Sequence, residues 1–245
     1  MHKLSTSPYR GRFAPSPTGP LHFGSLVAAV GSYLDAKAHG GEWLLRMEDL
    51  DTQRNMPGAA DGILRTLEQF GFGWDGAVVY QSARKDLYLD ALETLREKKL
   101  VYPCACSRKE IADSSLVGIE GPVYPGTCRD GMPVGRKVRA WRLRTSENII
   151  KINDLIQGTN SQNIAREVGD FVLQRADRTI AYQLSVVIDD ANQGITHVVR
   201  GADLLASTPR QVYLQRLLDL PTPHYLHLPV AVNERGEKLS KQTLA

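Results

Sequence analysis

A chain of 245 residues with 42% apolar and 23% charged side chains has the composition of an ordinary folded protein with a substantial core, which excludes a disordered or fibrous chain. Its 30 basic against 27 acidic side chains leave a net charge of +3, which permits a nucleic-acid partner without demanding one. The N-terminus MHKLSTSPYRGR lacks the apolar run of a secretory signal, and no stretch approaches the ~20 apolar residues of a membrane-spanning helix, so a cytoplasmic protein is expected.

Arg12-Phe13-Ala14 reads as a short strand entering the proline-rich turn Pro15-Ser16-Pro17-Thr18-Gly19-Pro20. Apolar residues then recur at helical spacing. Phe23, Leu26, Val27, Val30 and Leu34 predict the inward face of a helix ending near His39, with Gly40-Gly41 as a left-handed cap. Glu42 to Met47 (EWLLRM) reads as a buried strand, so strand, loop, helix and strand open a parallel α/β unit. Two packing helices are expected next, one from about Pro57 with Ile63, Leu64, Leu67 and Phe70 inward, one from about Arg84 with Leu87, Ala91, Leu92 and Leu95 inward.

Between about Leu100 and Asp177 the periodicity breaks, and all three cysteines fall here, which predicts an inserted domain. Regularity returns with TIAYQLSVVI (Thr179 to Ile188), a strand or buried helix ending in Asp189-Asp190. A strand at Ile195 to Val199 follows, then a helix from Thr208-Pro209 through Leu220. The expected organisation is a first half of the α/β domain over 1–99, the insertion over 100–178, a second half over 179–225, and a terminal loop region over 226–245.

The segment from Ala14 to Ser25 places an imidazole and two glycines at the entrance of a helix that follows the first strand. Free N–H groups and the helix dipole suit a phosphate there, and His22 adds a donor; a proline-stiffened turn capped by that histidine is the plainer alternative. Cys104, Cys106, Tyr124 and Cys128 form a Cys-x-Cys pair and a Tyr-x3-Cys pair. Three thiolates and one oxygen would complete a closed tetrahedral zinc site, against the alternative of small buried residues.

RFAPSPTGPLHFGS closely resembles the first signature of class I aminoacyl-tRNA synthetases, with His22-Phe23-Gly24-Ser25 in the place of the HIGH tetrapeptide, and more narrowly resembles the glutamyl branch. Lys238-Leu239-Ser240-Lys241-Gln242 resembles the second signature, the KMSKS loop. EWLLRMEDLDTQR and the stretch from Asp170 through Arg210 are similar to further glutamyl-enzyme segments. The resemblance implies a Rossmann-like α/β fold, a parallel sheet with flanking helices, carrying a zinc-binding insertion. It also implies adenylation of L-glutamate by ATP with Mg²⁺.

Carried onto this sequence, it implies that Arg12 and Arg200 bind the carboxylates of glutamate, Glu48 takes its ammonium, and Ala14, Ser16 and Tyr182 line that pocket. Pro15, Thr18, His22, Gly24, Ser25 and Lys241 are implied for ATP, with His22, Lys238 and Lys241 as the catalytic groups. A small dianion with one ammonium does call for guanidinium forks and one opposing carboxylate. The stop soon after KLSKQ, together with Gln242, the run Arg200 to Leu205 (RGADLL) and Tyr182-Gln183-Leu184, resembles the short paralogue of the glutamyl enzymes. Its acceptor is queuosine in the anticodon loop of tRNA(Asp), and a monomer is expected. A minimal or truncated glutamyl enzyme charging a tRNA 3′ end, and a non-catalytic RNA-binding body, are the alternatives. Arg129, Arg136, Lys137, Arg139, Arg142 and Arg144 are candidate RNA contacts, against an ordinary solvated face.

Overall fold

The computed structural model describes residues 8–114, 117–118 and 121–232. In chain order it forms β1 (Arg10–Phe13), α1 (Phe23–Ala38), β2 (Glu42–Met47), α2 (Ala59–Gln69), β3 (Val79–Tyr80) and α3 (Lys85–Glu97). The middle of the chain forms β4 (Val101–Cys104), α4 (Arg108–Ser114), β5 (Val117–Gly118), β6 (Gly121–Pro122), β7 (Ala140–Leu143), β8 (Ile149–Asp154), β9 (Gly158–Asn163), α5 (Ile164–Glu167) and β10 (Val172–Arg175). Then come α6 (Tyr182–Asn192), β11 (His197–Gly201), α7 (Thr208–Leu217) and β12 (His224–Leu228). The ambiguous TIAYQLSVVI stretch is thus largely helical. Among the described residues no helix is long and apolar enough to cross a membrane.

Strands β1, β2 and β3 run parallel, with Arg12 opposite Leu44, and β11, β12 and β8 form a second parallel run, with Arg200 opposite His227. The two runs meet where β11 lies beside β1. Thr196 N–H donates to the Arg10 carbonyl at 2.9 Å, and Arg10 N–H donates to Thr196 Oγ1 at 2.8 Å. Chain connection goes from β1 outward to β2 on one side and returns to β11 on the other, so a crevice opens at their C-terminal ends. Open α/β sheets bind ligands at such a switch point.

The region without periodicity holds two different structures. Strands β4, β7 and β10 pair antiparallel in a small sheet of their own, whereas the β8–β9 hairpin adds to the edge of β12. Ile150, Ile152, Ile164, Phe171 and Leu173 pack in the same core as α3, α6 and α7.

The inward face predicted for α1 is wrong. Phe23, Val30 and Leu34 are exposed, and the buried residues are Ala29, Ser32 and Ala36. Helix α1 lies close against β1, β2 and β11, and only small side chains fit that contact. Ser32 is itself satisfied there: its hydroxyl accepts from the indole Nε1–H of buried Trp43 at 2.9 Å. Phe70 is likewise exposed as the C-cap of α2, and Leu87 of α3 is partly exposed while Tyr88 turns inward to donate to Asp189 at 2.8 Å. The Gly40 cap is present, at φ +62°.

Candidate active site

The crevice between β1 and β11 is a cleft of about 650 Å³. Arg12, Ala14, Pro15, Ser16, Thr18, His22, Gly24, Ser25, Glu48, Tyr182 and Arg200, every described residue expected at the glutamate and ATP sites, line it. Lys238 and Lys241 lie outside the described residues. Arg175, Thr179 and Ile180 also line the cleft. At the mouth Arg175 bridges to Asp51 at 3.0 Å.

The loop after β1 is pinned by backbone bonds. Glu48 N–H donates to the Pro15 carbonyl and Met56 N–H to the Pro17 carbonyl, both at 2.9 Å. His22 is the N-cap of α1, with its Nδ1 accepting from Ser25 N–H at 3.3 Å, so the capping role proposed as the plainer alternative is real. It does not displace the other role, because an accepting Nδ1 leaves Nε2 as the protonated nitrogen of the neutral ring, and His22 lines the cleft beside the first turn of α1. That turn has no acidic residue to compete for an anion.

Beneath the cleft lies a layer of buried charge. Arg12 forks onto Asp190 with Nε at 3.0 Å and Nη2 at 3.3 Å, which leaves Nη1 for a ligand. Fully buried Arg46 donates from Nη2 to Asp190 at 2.8 Å and reaches Glu48 at 3.4 Å. Burial alone would raise the Asp190 pKa, but Arg12 and Arg46 outweigh it and hold this carboxyl below its ordinary value. Glu48 behaves oppositely: burial dominates over the attraction of Arg46 and Arg12, and its pKa is raised. A carboxylate in that state gains most from a further cation. Asp189 closes the layer, accepting from Arg84 at 2.8 Å and Gln81 at 2.7 Å.

Arg200 is different in kind. It is 5% exposed, yet no carboxylate of the described residues lies within ion-pair distance. Its fork is held by neutral acceptors: Thr208 Oγ1 and Gln211 Oε1 at 2.8 Å from Nη2, His227 Nε2 at 3.0 Å from Nε, and Tyr182 OH at 3.3 Å from Nη1. A buried cation kept without an anion is costly unless a ligand supplies one. The cleft therefore offers two guanidinium groups, one carboxylate and a helix N-terminus, a set suited to an acidic amino acid next to a phosphate ester.

Arg46, Asp190, Asp154, His227, Thr208 and Gln211 were not anticipated. For the two acidic residues and Arg46 a signal existed: a charge inside an apolar run, as in EWLLRM, must be paired when buried. His227 is fully buried, and burial followed by the nearby Arg200 charge lowers its pKa to about 4. An unfolded chain takes up the proton near the ordinary value of 6.5, so between these values the unfolded state binds more protons. Stability is expected to fall as pH drops through that window, by on the order of 2 kcal/mol at pH 4.5, and His227→Gln should flatten this part of the profile. Denaturant titrations of both proteins at pH 7 and 4.5 measure the difference; parallel profiles would refute it.

The four residues expected to bind metal also come together. The thiol sulfurs of Cys104, Cys106 and Cys128 lie within 4.8 Å of one another, with Cys106 and Cys128 at 3.6 Å. Tyr124 OH stands 3.3 Å from Cys104 Sγ and 3.7 Å from Cys106 Sγ, while it accepts from Cys128 N–H at 2.9 Å. Bonds of about 2.3 Å to a tetrahedral ion put sulfurs roughly 3.8 Å apart, so the donor set fits. Burial pushes the Cys106 thiol up to about 11. Burial also opposes the Cys104 thiolate, but hydrogen bonds from Tyr124 and Arg142 outweigh it and lower its pKa.

Most of the candidate RNA-binding arginines are spent around this knuckle. Arg142 stacks on Tyr124 at 3.9 Å, Arg129 pairs with Asp170 at 2.9 Å, Arg136 pairs with Glu110 at 2.8 Å, and Arg144 donates to the Arg129 carbonyl. Lys137 and Arg139 are exposed.

Residues 9–245 match the family described as tRNA synthetases class I (E and Q), catalytic domain. A protein of Dechloromonas aromatica named glutamyl-Q tRNA(Asp) synthetase is 66% identical over 241 residues, covering 98% of this chain and 80% of that protein. One of the same name from Neisseria meningitidis serogroup B is 59% identical over 240 residues, covering 97% and 81%. The crystal structure of glutamate-tRNA synthetase from Elizabethkingia anophelis superposes with a TM-score of 0.84 at 31% identity, over 96% of this chain and 53% of that one.

Proposed function

This chain belongs to the class I tRNA synthetase family of E and Q enzymes, and we propose that it activates L-glutamate with ATP and transfers the glutamyl group to queuosine in the anticodon loop of tRNA(Asp). Relatives of that name at 59 to 66% identity support a glutamyl ligase acting on tRNA. The observation that carries the choice of amino acid is Arg200, a buried guanidinium lining the cleft and held by neutral partners, across from the Arg12 fork and the Glu48 carboxylate.

In this reading Arg200 and Tyr182 take one carboxylate of glutamate, the open Nη1 of Arg12 takes the other, and Glu48 receives the ammonium. The α-carboxylate oxygen attacks the α-phosphorus of ATP, the bond to the bridging oxygen breaks, and pyrophosphate leaves. His22 and the first turn of α1 steady the phosphates, and Lys238 and Lys241 offset the charge of the departing pyrophosphate, with Mg²⁺ on ATP. In the second step a ring hydroxyl of queuosine attacks the activated carbonyl, an ester forms as the acyl–phosphate C–O bond breaks, AMP leaves with that electron pair, and the hydroxyl proton passes to the departing phosphate. Cys104, Cys106, Cys128 and Tyr124 would hold a zinc ion that fixes the β4–β7–β10 sheet and takes no part in either step.

Amino-acid-dependent ATP–pyrophosphate exchange tests the first half. Exchange with glutamate is expected, with kcat/KM at least about 100-fold lower for glutamine, because a neutral amide leaves one of the two cleft guanidinium groups uncompensated. Equal rates for the two amino acids would overturn the pairing of Arg12 and Arg200 with the two carboxylates of glutamate.

A further inference from the structure

We propose that Asp154 and His227 are a positioning pair for Arg200: the carboxylate fixes which ring nitrogen carries the proton, and the imidazole orients the guanidinium without neutralising it. The inference rests on the reading of Arg200 as a carboxylate partner of glutamate. It begins with a carboxylate that cannot turn. Asp154 Oδ1 accepts from the N–H groups of Ile156 at 3.0 Å and Gln157 at 2.8 Å, and its two oxygens share the His227 N–H at 3.2 and 3.1 Å.

Held in this way, Oδ2 meets His227 Nδ1 at 2.6 Å, with both side chains at 0% exposure. An ionised carboxylate only accepts, so the proton of that bond belongs to Nδ1. The other nitrogen of the neutral ring then carries a lone pair, and Arg200 Nε donates to it at 3.0 Å. With Nε so anchored and Nη2 tied to Thr208 and Gln211, the remaining Nη1 edge faces Tyr182 in the cleft.

The imidazole also acts as a spacer. A carboxylate in direct contact with Arg200 would form a competing ion pair, as Asp190 does with Arg12. One ring farther away, Asp154 sets direction while the guanidinium keeps its charge for the ligand. The three residues come from β8, β12 and β11, so a strand of the region without periodicity supports the site from behind.

Calorimetric titration of L-glutamate into the wild-type chain and four variants, with ¹⁵N spectra of the histidine ring, tests the pair. His227→Phe, which fills the space but offers no acceptor, is expected to weaken binding at least about tenfold, whereas His227→Gln, with both a donor and an acceptor, should stay within about threefold. Asp154→Asn keeps the oxygen that the backbone requires and turns its amide toward Nδ1. The ring proton should move to Nε2, where it opposes the Arg200 donor, and binding should weaken about tenfold. Arg200→Ala separates the role of the pair from that of Arg200 itself. If it loses glutamate while folded Asp154→Asn or His227→Phe binds as the wild type does, the pair has no positioning role. If Arg200→Ala itself binds as the wild type does, the assignment of Arg200 falls and the pair with it.

Discussion

Arg200→Ala is expected to raise the dissociation constant for L-glutamate by about 100-fold or more, the equivalent of roughly 3 kcal/mol or above for removing one partner of a desolvated charge pair. The reason lies in the free protein. Arg200 is buried and fixed at four points by uncharged groups, so its removal breaks no internal ion pair. The loss should therefore fall on binding more than on folding. Arg12→Ala makes the contrast, because it strips Asp190 of a bidentate partner in a buried layer, and it is expected to cost more stability than Arg200→Ala. Arg200→Lys keeps a charge but loses the fork and should recover only part of the affinity. Titration calorimetry with thermal melts of the free proteins reads both quantities; full affinity in folded Arg200→Ala would remove the basis for choosing glutamate.

The second large effect concerns the cysteine knuckle. Elemental analysis is expected to give about one zinc per chain, and its removal by chelator, or Cys128→Ser, should lower the melting temperature by roughly 10 °C. Packing buried Cys104 and Cys128 and half-buried Cys106 around a tyrosine hydroxyl yields only weak hydrogen bonds, with Cys106 and Cys128 at 3.6 Å; a bound metal ion would replace these with coordinate bonds. Tyr102, Ala105 and Ala140 pack directly on the trio, so loosening should spread through β4 and β7. Exchange with glutamate should survive better than stability does, since none of Cys104, Cys106, Tyr124 and Cys128 lines the cleft. Protein without bound metal and with an unchanged melting temperature would contradict a structural site.

Local patterns in the chain carried much of this arrangement. EWLLRM announces β2 because a short apolar run bounded by glycine and acids has few alternatives, and the clustering of Cys104, Cys106 and Cys128 announces the knuckle. The inner face of α1 differs from the one its large apolar residues predict. Where a helix rests directly on a sheet the contact selects Ala29, Ser32 and Ala36, and Phe23 and Leu34 are left outside. The support of Arg200 was illegible for another reason. Asp154 and His227 are 73 positions apart, and nothing local shows that β8 will lie against β12. Arg12 and Arg200 were legible as charges near strand ends, whereas the asymmetry between them, one paired internally and one not, exists only after folding.

The acceptor is tested most directly by ATP-dependent transfer of labelled glutamate to tRNA(Asp) bearing queuosine, to tRNA(Asp) with unmodified guanosine at that position, and to tRNA(Glu). Label on the queuosine-bearing tRNA(Asp) alone is predicted. Label on tRNA(Glu), with none on either tRNA(Asp), would contradict queuosine as the acceptor and make this an enzyme that charges a tRNA 3′ end.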